Sequence, residues 1–459
     1  TISTNSLLIQ DGAEASTRTF GKGKGGDLKV NAKEIQLIRD KGSSTGLFAS
    51  ADLNSKGDAG NLTIKTNKLF VQGGGQVLTT TFGEGKVGNL NVNAQDIQII
   101  GRTKDANFPS GLFASAGQSS KGDAGNLIIF TNKLLVKDGA QVGAGTFGEG
   151  KGGNFTINAQ DIQLIGTNED GRFGTILFSS ASPSSTGDAG NFNISTNKLL
   201  IQDGAQLSSA TFGEGKGGNL NINAQDIQLI GKSTNFDFTS GLFANAELFS
   251  KGDAGNLTIS TNKLLIQDGA QIITGTYGQG KGGNLTINAQ DVQLIDSRSR
   301  LVTATLFPGK DAGNLTIETD KLLIQDEAFV MASTFSEGKG GDININADTL
   351  QLTNDASIAA ASTDSGISGN IEINVKDNFN ADNGQVTTQS QQSSGGNIDV
   401  TSKNIFLRNN SNIKTILSTT EGNGGNITLT ANAIVALEDS DILAFAPEGK
   451  GGNITFNTR

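Results

Sequence analysis

Apolar and polar residues alternate along this chain in short runs, and the runs recur. In residues 255–284, GNLTISTNKLLIQDGAQIITGTYGQGKGGN, Leu257 and Ile259 alternate with Thr258 and Ser260. After Asn262, Leu264 and Ile266 alternate with Leu265 and Gln267; after Gly269, Ala270, Ile272, Thr274 and Thr276 form a third run. A period of two in short runs broken by Asn and Gly predicts three β-strands and no helix.

Nearly all of the chain copies this stretch. A Gly-Asn or Gly-Asp pair opens each copy, with its second residue at 27, 61, 89, 126, 154, 191, 219, 256, 284, 314, 342, 370, 397, 426 and 453. The successive spacings are 34, 28, 37, 28, 37, 28, 37, 28, 30, 28, 28, 27, 29 and 27 residues. Through the middle, a 28-residue copy alternates with a 37-residue one, a 65-residue super-repeat. Residues 1–341 therefore form a stretch with edge insertions, and 342–459 a plain continuation of 27–29-residue copies. A unit of this size cannot bury its own apolar face, so it stacks on its neighbours. The expected fold is all-β: a parallel β-helix, or β-solenoid, with one unit per coil. Roughly fifteen coils at the strand spacing make a rod about 70 Å long. A propeller blade needs more residues than one unit supplies.

The extra residues of the longer coils are placed after the second strand, as in 166–179 (GTNEDGRFGTILFS) and 231–241 (GKSTNFDFTSG). They are expected to project from one edge, either as looser turns or as a binding rim. On the outer face of the second strand, Leu135, Ile165, Leu200, Ile230, Leu265 and Ile295 are read as an apolar stripe. Such a stripe calls for a cover. The expected cover is the insert with Phe178 or Phe243 folded over it; lateral association of rods is the alternative.

Charge follows the same two-coil rhythm. Three residues before each opening Asn stand Asp58, Lys86, Asp123, Lys151, Asp188, Lys216, Asp253, Lys281, Asp311 and Lys339. Five residues before it the signs invert: Lys56, Glu84, Lys121 and Glu149, then Thr186, Glu214, Lys251 and Gln279. The alternation fails at the start, where Lys22 lies beneath Lys56, and ends after Lys339. Stacked coils would turn these residues into two columns of alternating sign that penalise a one-coil slip. The repeated Asn61, Asn89, Asn126, Asn154, Asn191, Asn219, Asn256, Asn284 and Asn314 are read as an amide ladder along the axis. The Gly before each is read as supplying backbone angles that other residues resist.

Composition narrows the chemistry. The 459 residues include 63 Gly, 4 Pro, no Cys and no His, with a net charge of −10. Without His there is no Ser-His triad, no His-ligated metal and no imidazole base. Without Cys there is no disulfide framework or Cys-based metal site. Paired carboxylates could in principle cleave glycosides. However, Asp96, Asp161, Asp226 and Asp291 share one repeat position, and Asp138, Asp203 and Asp268 another. Residues that recur in every copy serve the scaffold, so no catalytic, metal or cofactor-binding residue is assigned and the chain reads as non-enzymatic. Neither the calcium nonapeptide nor an EF-hand loop occurs. Thr-x-Thr, as at Thr274 and Thr276, is too patchy for an ice-binding face. GxGxxG-like text at 83–88 has no following helix and is turn chemistry. The acidic balance argues against nucleic acid or an anionic membrane as partner. No apolar run reaches the length of a membrane span.

GNLNINAQDIQLIG, GDAGNLTISTNKLLIQDGAQI and TFGEGKGGN resemble the repeats of filamentous haemagglutinin-like exoproteins. The nearest flavour is the large cyanobacterial exoproteins described as haemagglutination-activity or S-layer-like. The resemblance covers essentially the whole chain and is closest from Asp27 to Asp342. It implies a right-handed parallel β-helix, exported by two-partner secretion and displayed at or released from the cell surface. There it implies an adhesin, stalk or filament, with host-cell or matrix glycans as partners. The family's amino-terminal secretion domain is not recognisable, because the chain is in repeat register from Thr1. With Thr1 in place of an initiator Met, and with TIST and GGNITFNTR both reading as first strands, a trimmed piece of a longer rod is expected. Head-to-tail stacking of such ends is the second expectation. The reading is a secreted or cell-surface shaft; the alternative is a glycan-binding or glycan-cleaving β-helix using the insert-lined edge.

Overall fold

The structure, a computed structural model, describes residues 1–39, 44–234, 238–306, 308–418, 422–447 and 449–458. Among these residues there are forty β-strands and no helix. Strands pair in parallel with their counterparts one turn on, and about fifteen turns make a β-solenoid. Two compact units are distinguished. Unit one comprises Thr1–Gln225, Gly231–Phe243 and Phe249–Gly252; unit two comprises Asp226–Ile230, Ala244–Leu248 and Asp253–Arg459.

The turn after Asn256 in unit two contains the three expected strands, Leu257–Ser260, Lys263–Gln267 and Gln271–Thr276. Leu257, Ile259, Leu264 and Ile266 are fully buried. Each sits directly on its equivalent in the next turn, Leu257 on Leu285 and Leu264 on Val292. Burying one such side chain stabilises by about 1.5–3 kcal/mol, so the aliphatic columns supply the core. In unit one Phe155 and Phe192 stack inside it, with ring centroids 4.4 Å apart.

The third strand faces a narrower interior. Its central inward position holds Ala49, Thr79, Ala114, Ala144, Ser179 and Ser209 in unit one, none of them exposed. Two of these hydroxyls reach the glycine carbonyl at the next corner: Ser179 donates to Gly190 and Ser209 to Gly218, both at 2.7 Å, while Thr79 Oγ1 is buried without a partner. In unit two Thr274 donates to Gly283 and Thr415 to Gly425. Small hydroxyl residues thus fit the taper and satisfy carbonyls that would otherwise be buried unpaired.

Three expectations need correction. The extra residues of the longer turns do not all follow the second strand. Residues 101–110 there replace 73–75 of the shorter turn, and 117–125 replace 82–88 after the third strand. In the third strand Gln271–Thr276 every residue is buried, including the outward Gln271 and Ile273.

The apolar stripe on the second strand is a checkerboard. Leu135 lies between Gln98 and Gln163, with Leu200 beyond, while Ile165 lies in the adjacent column between Lys137 and Gln202. In unit two Leu265 lies between Gln228 and Gln293, Ile230 beside Gln267 and Ile295 beside Gln325. The cause is a two-residue offset: one turn reads KLLIQ outward as Leu then Gln, the next reads DIQLI as Gln then Ile. Each intervening Gln is held by its own turn, as Gln98 donates to Asp96 at 2.8 Å and Gln163 to Asp161 at 2.7 Å. Lastly, Phe178 and Phe243 do not fold over this face; they belong to the third strands Ile176–Ala181 and Gly241–Ala246, in the other sheet.

Candidate functional site

The corner between the third strand and the next first strand carries the residues singled out by the repeat. In unit one each Asn side-chain oxygen accepts the main-chain N–H of the next Asn. The series runs Asp27 to Asn61, then Asn89, Asn126, Asn154, Asn191 and Asn219, at 2.9–3.0 Å. In unit two it runs from Asn256 to Asn284, Asn314 and Asp342, then Asn370, Asn397, Asn426 and Asn453. In most rungs the donor is the backbone and not the amide expected of an Asn ladder. The Asn carbonyl is already engaged by the residue after the preceding Asn, as Leu62 N–H donates to Asn89 and Leu90 N–H to Asn126. The side chain therefore satisfies the remaining backbone donor, and Asp27 and Asp342 do this equally well.

The glycine before each Asn has a different role from the one expected. None of these glycines has a positive φ. A Cβ on Gly153 would lie 1.8 Å from the Gly125 carbonyl oxygen, and one on Gly283 1.8 Å from that of Gly255. Closeness of successive turns, not torsion, excludes a side chain. Left-handed φ occurs in pairs at the corner after the second strand, such as Asp138–Gly139 and Asp203–Gly204, and within the third-strand corner at other residues such as Asn54 and Ser119.

The charged columns meet at the same edge. Asp58, Asp123 and Asp188 accept the backbone N–H of Lys86, Lys151 and Lys216, and Asp253 and Asp311 those of Lys281 and Lys339. Lys86 reaches on to Asp123 at 3.2 Å and Lys281 to Asp311 at 3.0 Å. In the neighbouring column Glu84 lies 3.9 Å from Lys56 and 3.5 Å from Lys121, and Lys251 contacts Glu214. The main-chain N–H of Lys151 holds the Asp123 carboxyl below its ordinary range, and that of Lys339, then the Lys281 ammonium, does so for Asp311. A further alternating column went unread in the sequence. Glu34, Lys68, Asp96, Lys133, Asp161 and Lys198 stack in unit one, and Asp226, Lys263, Asp291 and Lys321 in unit two.

The inserts of unit one are small hairpins closed by the bridges Arg102–Pro109, Thr167–Gly174 and Lys232–Thr239; residues 235–237 of the last lie outside the described residues. They interlock across the shorter turns. Arg102 donates to the Gly139 carbonyl at 3.1 Å and its guanidinium lies 4.1 Å from the centre of the Phe173 ring. Arg39 stands over Phe108 in the same way, at 4.5 Å. A groove of about 710 Å³ beside them is lined by Arg102, Lys104, Asp138 and Asp170. Another, of about 910 Å³, follows the bend between first and second strands in unit two, where Asn346 bonds Glu318, and Asn374 bonds Asn346.

The least repetitive chemistry lies on the outer face of the third strands in unit two. Register places Gln271, Arg300 and Phe329 in one outward column, and Ile273, Val302 and Met331 in the next. Arg300 donates to the Gln271 side chain at 2.7 Å, and Asn245 to Glu247 at 3.3 Å. The Tyr277 N–H donates to the Ala246 carbonyl, which stacks Tyr277 on Glu247. Burial pushes the Glu247 carboxyl up, partly countered by Asn245. Burial, then the Glu247 charge, pushes the Tyr277 phenol up, while Arg300 acts in the other direction. Burial lowers the Arg300 guanidinium. Three outward polar atoms here, Asn245 Oδ1, Arg300 Nε and Ser333 Oγ, are buried with no hydrogen-bond partner. The sequence did carry a signal for this cluster: Tyr277 and Met331 are the chain's single Tyr and single Met. No known family model, curated protein or solved structure matches the chain.

Proposed function

We propose that this chain is the non-enzymatic β-solenoid shaft of a secreted or cell-surface adhesin or filament, of the filamentous haemagglutinin-like kind. One observation carries the reading. The polar side chains that recur in every turn, the Asn rungs and the Asp-Lys columns, are engaged by the adjacent turn. Side chains committed to stacking are available for neither acid-base nor metal chemistry, and a stack that spends its repeat in this way is a spacer. The recurring acids Asp96 and Asp161 stack in register with Lys133 of the turn between them and each accept at Oδ2 from a Gln of the same turn, while their Oδ1 atoms are buried without a partner.

Surface display is the testable part. An antibody raised against the chain should label intact cells of the organism that makes it, and protease added outside those cells should remove the label. Labelling confined to permeabilised cells would sink the proposal.

A further inference from the structure

The outer face of the third strands has a rhythm that stacking does not require. In unit one, five successive third strands, Gln76–Thr81, Gly111–Ala116, Gln141–Thr146, Ile176–Ala181 and Gln206–Thr211, contain no charged residue. Aromatic rings cross this neutral strip in two columns, alternating from turn to turn. Phe113 and Phe178 stand in one, separated by Gly143. Phe82, Phe147 and Phe212 stand in the other, separated by Gly117 and Ser182. Backbone positions within a column are two turns apart, about 9.5 Å; Phe113 and Phe178 lean together over Gly143 to 6.4 Å between ring centroids, whereas Phe82, Phe147 and Phe212 form the exposed column. Phe82, Phe147 and Phe212 are 41%, 40% and 38% exposed, unusual for three rings in line on one face.

We propose that this strip binds an extended, uncharged, β-linked polysaccharide lying along the stack, about one sugar per turn. A pyranose ring offers an apolar C–H face that packs on an aromatic ring. An extended β-linked chain flips successive sugars, so its repeat is two sugars long and alternates between two sides. The Phe82, Phe147 and Phe212 column repeats every two turns and so meets every second sugar; the Phe113 column lies four residues away along the strand, about 13 Å, and is a separate surface. The small residues between the rings keep the strip flat, and Ser180 supplies a half-buried hydroxyl. Charge matching points to the same ligand, because the column two residues beyond Phe82, with Lys56, Glu84, Lys121 and Glu149, alternates in sign and would repel a polyanion and a polycation alike.

The corresponding face of unit two carries charges of both signs, Glu247 and Arg300 among them. Glu247 would repel an anion there and Arg300 a cation. The proposal goes beyond the shaft reading and stands without it.

Sedimentation of the full chain with crystalline cellulose and with chitin, against insoluble amylose as the α-linked control, tests it. The parent is expected to partition onto at least one β-linked solid and to leave amylose bare. F82A/F147A/F212A is expected to lose partition by about tenfold or more with its far-UV spectrum unchanged. F82L/F147L/F212L, which keeps apolar area but loses the flat rings, should lose it too. Failure to bind either β-linked solid, equal binding to amylose, or parent-like binding by the leucine variant overturns the proposal. Should the variants misfold, Tyr277 fluorescence in the parent, titrated with soluble cellohexaose and chitohexaose, decides: a change with either supports binding, and no change with both refutes it.

Discussion

Removing one turn should cost this protein more than half of what removing two costs. Deleting residues 126–153 takes out one 28-residue turn; deleting 126–190 takes out a full 65-residue super-repeat. Turn number alone makes the one-turn loss about half of the two-turn loss, because each turn contributes an interface with its neighbour. Register adds a penalty to the one-turn deletion alone. After the one-turn deletion Asp123 meets Asp188 in place of Lys151, and Asp96 meets Asp161 in place of Lys133. Each swap puts a like charge where an opposite one stood, about 0.5–1 kcal/mol apiece. Arg102 also loses its seat, since the Gly139 carbonyl that it bonds is gone and Phe173 is brought one turn nearer. That removes about another 0.5–1 kcal/mol, before any collision between hairpins that the intervening turn now separates. The two-turn deletion keeps every sign: Asp96 meets Lys198, Gln98 meets Leu200, and Gly204 takes the place of Gly139 beneath Arg102. Urea unfolding followed by far-UV circular dichroism should therefore find the one-turn deletion losing about 2 kcal/mol more than half of the two-turn loss, with the excess narrowing in high salt. If it loses half or less at low salt, the register argument is wrong.

Two further outcomes follow from the corner. Gly153→Ala should cost about 3 kcal/mol, because its Cβ has only backbone to displace, whereas Gly23→Ala, with nothing within 4 Å, should melt like the parent; similar melting temperatures would refute the close-contact account. The Asp27, Asp123 and Asp311 carboxyls are held below their ordinary value of 3.8, in each case first by a main-chain N–H of the next turn. Groups depressed on folding stabilise above the unfolded value and lose that contribution as pH falls through the folded one, so the parent's urea midpoint should drop below about pH 4 more steeply than that of D27N/D123N/D311N, and parallel curves would exclude the linkage.

The sequence and the structure agree most where physics is local. Leu257, Ile259, Leu264 and Ile266 announce inward positions by alternation alone. Sign alternation from Asp58 to Lys339 is visible because nine of the ten residues keep a fixed distance from an Asn, and Lys339 keeps it from Asp342. The checkerboard around Leu135 and Ile165 is hidden because their column depends on a two-residue offset that only strand register reveals. Gly153 is ambiguous in sequence, since glycine serves a left-handed torsion and a close approach alike, and only the position of the Gly125 carbonyl separates them. Asn245 and Arg300 are unremarkable in composition. Their standing comes from burial on a face that a period of two assigns to solvent.

The corner built from Gly and Asn also has a mechanical meaning. Within each unit, successive glycines approach so closely that the turns there cannot be squeezed together, and the Asn side chains tie each turn to the next, so they resist being drawn apart. The other two corners carry hairpins, left-handed turns and surface charges that can give way by small amounts. Bending should therefore open and close the turns about the Gly-Asn edge, as pages move about a spine, and the ring-bearing strip would change its spacing with the load.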